Sequence, residues 1–90
     1  MEKVDYLKIV RRPLVVPPIG EHPWQMHMYC LDENKNKWSV ILTGDLVKTI
    51  YRKCKQGVTL RCKGEHKGVL EEMKMKLFTA TSLNIHKGGD

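Results

Sequence analysis

The chain has 90 residues, with 16 Lys and Arg against 10 Asp and Glu, which gives a formal net charge of +6 at pH 7. A chain this short builds one modest core, so a buried substrate pocket between two domains is not expected. The basic balance favours anionic partners such as nucleic acid, although the same charge also serves solubility. We expect a single domain over residues 1–90.

The three cysteines are odd in number and form no CxxC pair. Without a signal peptide, this pattern indicates reduced thiols and a cytoplasmic or nucleoid-associated protein. No run of about 18 apolar residues suggests a membrane span.

The N-terminal half predicts three strands. Residues 4–10 favour β structure, and the proline-rich segment 11–23 allows at most an edge strand within a loop. Residues 24–31 and 38–43 alternate apolar and polar side chains. The polar run 32–37 between them predicts a hairpin.

The C-terminal half predicts one helix and two strands. Apolar spacing is helical over about 45–54, and residues 58–64 alternate again. A turn is expected around 66–68, a last strand from about 73 to 85, and a frayed end at 86–90. The order β-β-β-α-β-β predicts a mostly β, five-stranded OB-fold barrel. An SH3-like barrel is the nearest alternative, but it does not normally carry a helix of this length at this point.

Residues 38–64 read WSVILTGDLVKTIYRKCKQGVTLRCKG. This stretch resembles the bacterial single-stranded-DNA-binding protein (SSB) family and its primosomal relatives, in which an aromatic-led strand ends in Gly before a helix and a second Gly-bounded strand. Gly44 is expected to free the strand-to-helix turn, Gly57 to cap the helix in the left-handed region, and Gly64 to end a strand at a barrel corner. The resemblance implies single-stranded DNA as ligand. The absence of an acidic tail suggests a tail-less replication accessory, possibly encoded by a phage or mobile element.

The resemblance does not decide whether Trp38 faces the ligand or the core. Family members use a Trp here to stack on bases, but the strand before Gly44 is one residue shorter than in the family. Counting back from Gly44 turns Trp38 into the core, unless a bulge restores the family placement. The residues turned outward by this count are Lys37, Ser39, Ile41 and Thr43.

Single strands are held by cations that contact phosphates and by rings that stack on bases. Outward positions on three predicted strands, on the hairpin tip and at the exit of the first strand carry such residues. The candidates are Arg11, Arg12, His27, Tyr29, Lys35, Lys37, Trp38, Arg61, Lys63, Lys74, Lys76 and Phe78. On the last strand, Lys74, Lys76 and Phe78 are expected to share the outward side.

Other functions have less support in the sequence. No metal site or cofactor is expected, because His and Cys residues lack the close ligand spacing of zinc sites. No catalytic motif occurs, so we do not expect an enzyme. The main alternative is an interaction module that docks on a polymerase, primase or helicase, and oligomerisation stays open. RNA binding is the weaker alternative, because the chain has few aromatic residues.

Overall fold

The computed structural model describes residues 1–86, which form six strands, one α-helix and one 3₁₀ turn. The strands are β1 (Glu2–Ile9), β2 (Leu14–Val16), β3 (Gln25–Leu31), β4 (Lys37–Thr43), β5 (Thr59–Leu70) and β6 (Met75–His86). Helix α1 (Asp45–Ile50) continues into the 3₁₀ turn Tyr51–Lys53, between β4 and β5. The predicted frayed end lies outside the described residues, except for His86, which ends β6.

The strands close into a ring. Their order is β1-β5-β6-β4-β3-β2, and β1 also pairs with β3. Both β1 and β2 run antiparallel to β3, with Ile9 opposite Cys30 and Leu14 opposite His27, so β2 continues β1 along the same partner after a break. The β4–β6 pair is parallel. The ring is therefore a five-stranded OB-fold barrel whose first strand is interrupted at residues 10–13, which confirms the predicted fold.

Strict alternation on β3 and β4 builds one wall of the core. Met26, Met28 and Cys30 point inward from β3, and Val40 and Leu42 from β4. Each such side chain contributes roughly 1.5–3 kcal/mol when fully buried. The remaining core residues are Leu7, Ile9, Trp38, Val47, Cys54, Leu60, Cys62, Phe78, Ala80 and Leu83.

Strand β5 is longer than the sequence predicted. The expected turn at 66–68 is wrong, because β5 passes through it and the chain turns at residues 71–74 instead. A bulge lies between His66 and Gly68, which admits one extra residue and keeps both halves paired with β6. The Gly and His residues that resembled a turn therefore mark a bulged strand.

Gly64 lies inside β5 and does not end a strand. A Cβ built on Gly64 would lie 2.0 Å from the backbone oxygen of Thr79 on β6, so only glycine allows the two backbones to approach this closely. The register between β5 and β6 shifts at this point. The glycine is therefore required by the close backbone approach beside this register shift, and not by the end of a strand.

An aromatic cluster fills one end of the barrel and corrects two sequence expectations. Phe78 is only 1% exposed, so the prediction that it points outward is wrong. Trp38 is also buried, and its ring lies 5.9 Å from that of Phe78 and 5.1 Å from that of His66. The outward placement expected for Lys76 is also wrong, because Lys76 shares this inner side and places its Nζ 5.0 Å from the centre of the Trp38 ring. No bulge interrupts the β3–β4 pairing, so counting back from Gly44 gives the correct side for Trp38.

Asp32 fixes the turn between β3 and β4. Its Oδ1 accepts hydrogen bonds from the backbone N–H groups of Asn34 and Asn36, and its Oδ2 accepts one from Trp38 Nε1 at 2.9 Å. Desolvation acts to raise the pKa of Asp32, but these hydrogen bonds outweigh it and hold the pKa below its usual value. The carboxylate thus joins the turn to the buried indole.

Candidate nucleic-acid interface

The outward side chains of β3 and β4 form a surface that we call the β3–β4 face. Tyr29 lies opposite Ser39, and His27 lies opposite Ile41. Because inward and outward residues alternate, the buried Met26, Met28 and Cys30 require His27 and Tyr29 to point outward, as the sequence predicted. In OB-folds this pair of strands is the usual ligand surface.

Tyr29 provides the aromatic ring of the face, and Arg11 covers it. The guanidinium carbon of Arg11 lies 4.8 Å from the ring centre, within cation–π range. The Val10 backbone N–H donates to the Tyr29 carbonyl at 3.0 Å, which holds the chain near Arg11 beside β3. The break in the first strand thus places a cation directly on the outward ring.

A group of lysines lies at one end of this face, where two turns meet. Lys35 from the β3–β4 turn, Lys37 at the start of β4 and Lys74 from the β5–β6 turn line one open cleft of about 360 Å³. Lys35 and Lys74 both have positive φ, 66° and 52°. Glu72 lines the same cleft, so its charge is mixed. The fold thus brings Lys74 next to Lys35 and Lys37, which lie far from it in the sequence.

Strand β6 extends the face on the far side of β4. Leu77 lies opposite Ser39 and Thr79 opposite Ile41, so both point outward. The expected outward side of Lys76 and Phe78 implied the inner side for Leu77, so that expectation is wrong. Their outward placement follows only from the register with β4, which no local pattern on β6 reveals.

Arg61 and Lys63 point outward, but they belong to a second surface. With Lys3 of β1 they line a separate cleft of about 160 Å³ on the β1–β5–β6 side. The ring order places other strands between β5 and β3, so this cleft is not continuous with Tyr29. Arg61 Nε also lies 3.2 Å from Asp5 Oδ1, which reduces its availability for a phosphate.

Arg12 lies apart from Arg11. It lines a cleft formed with residues 13–15 and with Tyr51 and residues 54–56, next to the 3₁₀ turn. Of the candidate residues, the structure therefore places Arg11, His27, Tyr29, Lys35, Lys37 and Lys74 along the β3–β4 face and its lysine end. It places Trp38, Lys76 and Phe78 in the aromatic cluster.

Within residues 1–86, no three His, Cys, Asp or Glu residues are grouped to hold a metal ion. Burial raises the pKa of Cys30 and Cys62 to about 12 and that of Cys54 to about 11, so these thiols are poor nucleophiles. None of the helices formed by residues 1–86 has the length and apolar character needed to cross a membrane.

Comparison with known proteins bears on the fold. No protein-family model matches the sequence, and no curated protein matches it significantly. Among solved structures, the chain is similar to the SSB domain of a protein from Synechococcus sp., with a TM-score of 0.72 and 14% sequence identity. The match covers 93% of this chain and 94% of that one. In its fold, this protein is an SSB-like OB domain.

Proposed function

We propose that this protein binds single-stranded DNA on the β3–β4 face, as an accessory protein of DNA replication. The observation that carries the proposal is the Arg11–Tyr29 pair on the outward face of an SSB-like barrel, with Lys35, Lys37 and Lys74 at one end. A ring that stacks on a base and cations that contact phosphates are the two groups that single-strand binding requires.

The surface suits unpaired bases better than a duplex. Tyr29 has uncharged outward neighbours, the small Ser39 and the apolar Ile41 on β4 and Leu77 on β6. A base laid against this platform exposes its hydrogen-bonding edge to solvent, which a paired base cannot do. Binding on such a platform depends little on sequence, because every base has an aromatic face.

A direct titration tests the proposal. Both tryptophans lie off this face, Trp38 in the core and Trp24 stacked on Tyr51, so a labelled oligonucleotide is a better reporter than intrinsic fluorescence. Anisotropy with oligo(dT), oligo(U) and duplex is expected to show tightest binding to oligo(dT). The logarithm of affinity should fall with that of salt, with a slope of about −0.7 per phosphate contacted. Preference for duplex, or no binding at low salt, would contradict the proposal, and preference for oligo(U) would favour RNA.

Charge reversal locates the site. Lys37→Glu and Lys74→Glu are expected to weaken oligo(dT) binding and to reduce the salt slope by roughly 0.7 each, because each removes one phosphate contact. Lys63→Glu, in the separate cleft beside β1, is the matched control and should change affinity little. A larger effect from Lys63→Glu would move the interface to the β1–β5–β6 side.

The role in replication is the narrower part of the proposal. A non-catalytic OB domain acts by holding the strand for another enzyme, so the tagged chain is expected to co-purify with a primase, helicase or polymerase in its host. We expect this to occur in the cytoplasm, at the nucleoid. Recovery with ribosomal proteins instead would favour the RNA alternative.

A further inference from the structure

The most basic part of the sequence lies away from the lysine end of the β3–β4 face. Residues 6–20 contain three Lys or Arg, and residues 46–64 contain six, with no Asp or Glu in either segment. These segments thus hold nine of the 16 basic residues, and the rest of the chain has seven against ten acidic ones. The cationic excess of the protein therefore belongs to these two segments.

These two segments meet at a cleft of about 840 Å³, which we call the β2 cleft. One wall comes from Arg12, Pro13, Leu14 and Val15, and the other from Tyr51, Cys54, Lys55 and Gln56. Its surface is more apolar than polar, and its charged lining residues are Arg12 and Lys55. A mostly apolar lining that includes two cationic side chains favours a ligand that is both apolar and acidic.

Strand β2 contributes an unpaired backbone edge to this cleft. Within residues 1–86, β2 is the end strand of the sheet and pairs only with β3. The end of β1, by contrast, is still bonded to the chain that leads into β5, since the Ile9 N–H donates to the Val58 carbonyl at 2.8 Å. No backbone hydrogen bond joins residues 14–16 to residues 51–56 in the described chain. The barrel seam thus opens where β2 begins.

The exposed edge suits an extended peptide. Successive residues of a strand direct their N–H and C=O groups to opposite edges. At least one residue of β2 therefore directs its backbone N–H and C=O toward the cleft. Pro13 and Pro17 flank the strand and lack N–H groups, which limits an added strand to about three residues. The same prolines restrict uncontrolled edge-to-edge association.

The aromatic wall is less suited to a stacked base. The Tyr51 ring is already stacked on Trp24 at 6.0 Å with an interplanar angle of 20°, and its hydroxyl accepts a hydrogen bond from Arg52 Nε at 3.1 Å. One face of the Tyr51 ring is therefore covered by Trp24, and its hydroxyl already has a hydrogen-bond partner. We propose that the β2 cleft binds a short extended segment of a partner protein that carries apolar residues flanked by Asp or Glu, by strand addition to β2.

The test uses defined peptides with no nucleic acid present, so it is independent of the proposed DNA binding. A fluorescein-labelled peptide DDIVFDD is titrated with the full chain and followed by anisotropy, with KKIVFKK and a backbone N-methylated DDIVFDD as comparisons. DDIVFDD is expected to bind, and the other two to bind at least roughly tenfold more weakly. Equal binding of KKIVFKK would overturn the charge argument, and equal binding of the N-methylated peptide would overturn strand addition.

Variants locate the peptide. Lys55→Glu is expected to weaken DDIVFDD binding roughly tenfold, whereas Lys48→Glu, an exposed residue of α1 outside the cleft lining, should change it less than about twofold. Far-ultraviolet circular dichroism confirms that both variants are folded. No binding of DDIVFDD to the native chain overturns the proposal. Loss of oligo(dT) binding in Lys55→Glu, with no peptide binding, would assign the cleft to nucleic acid and also overturn it.

Discussion

Replacing Tyr29 by alanine is the sharpest test of the β3–β4 face. The substitution removes the outward ring while the backbone pairing of β3 with β4 at this position, opposite Ser39, is kept. It also leaves Arg11 without the ring that it covers at 4.8 Å. We expect the variant to fold and to bind oligo(dT) more weakly.

The magnitude follows from two opposing contributions. A base stacked on an aromatic side chain contributes about 1–3 kcal/mol. A base that takes the place of Arg11 on the ring first displaces a cation–π contact that contributes about 0.5–1 kcal/mol at an exposed site. From the middle of each range, the net loss in Tyr29→Ala is about 1.3 kcal/mol, or roughly tenfold in the dissociation constant.

The assay is anisotropy of labelled oligo(dT) at fixed low salt. Tyr29→Phe keeps the ring and should bind within about twofold of the native chain. Tyr6→Ala is a matched control, because Tyr6 is an exposed aromatic residue on a different strand, β1. Its ring packs on that of His86, with 4.8 Å between the ring centres. Far-ultraviolet circular dichroism checks that each variant is folded.

One result would refute the reasoning. If folded Tyr29→Ala binds oligo(dT) as tightly as the native chain, the ring does not contact bases. If Tyr6→Ala shows the larger loss, the contact lies on β1 instead.

The other predictions concern the frame that carries the face. Gly64→Ala should lower the free energy of unfolding by about 1–3 kcal/mol or more, because its Cβ meets a backbone oxygen at 2.0 Å. Phe78→Ala should lower it by about 3–5 kcal/mol, as for a buried ring. Below about pH 4 the native chain should lose stability more steeply than Asp32→Asn, because the lowered pKa of Asp32 stabilises the fold only while the carboxyl is ionised. At pH 8 the native chain should react slowly with a thiol reagent, and the unfolded chain fast, at Cys30, Cys54 and Cys62.

Urea unfolding checks the three stability predictions, and absorbance of the released thiol reagent checks the fourth. Gly20→Ala is the matched control for Gly64, because no atom lies within 4 Å of its built Cβ and only its positive φ adds strain. An unchanged free energy of unfolding in Phe78→Ala would show that the Phe78 ring is not buried in the core. Parallel pH curves for the native chain and Asp32→Asn would show that the carboxylate does not stabilise the turn.

The sequence determined the order of strands and helix along the chain and the outward side of β3, because these depend on local patterns. Alternation on β3 required His27 and Tyr29 to share a side, and the buried sulfur-containing residues opposite them made that side the outer one. Glycine and helical spacing fixed α1 between β4 and β5, which is the position that distinguishes an OB-fold. These features need no knowledge of distant residues.

Only the tertiary structure decided which side of β6 faces the core. Alternation correctly placed Lys76 and Phe78 on the same side of the strand, but it does not show which side faces the core. The charge of Lys76 suggested that this side faces solvent. The parallel register with β4 places Phe78 beside Val40 and Lys76 beside Trp38, so the pair faces inward and the lysine covers the indole from the rim. Closure of the ring likewise separated Arg61 from Tyr29 and opened the β2 cleft, because contacts between distant strands depend on register and bulges that no single strand encodes.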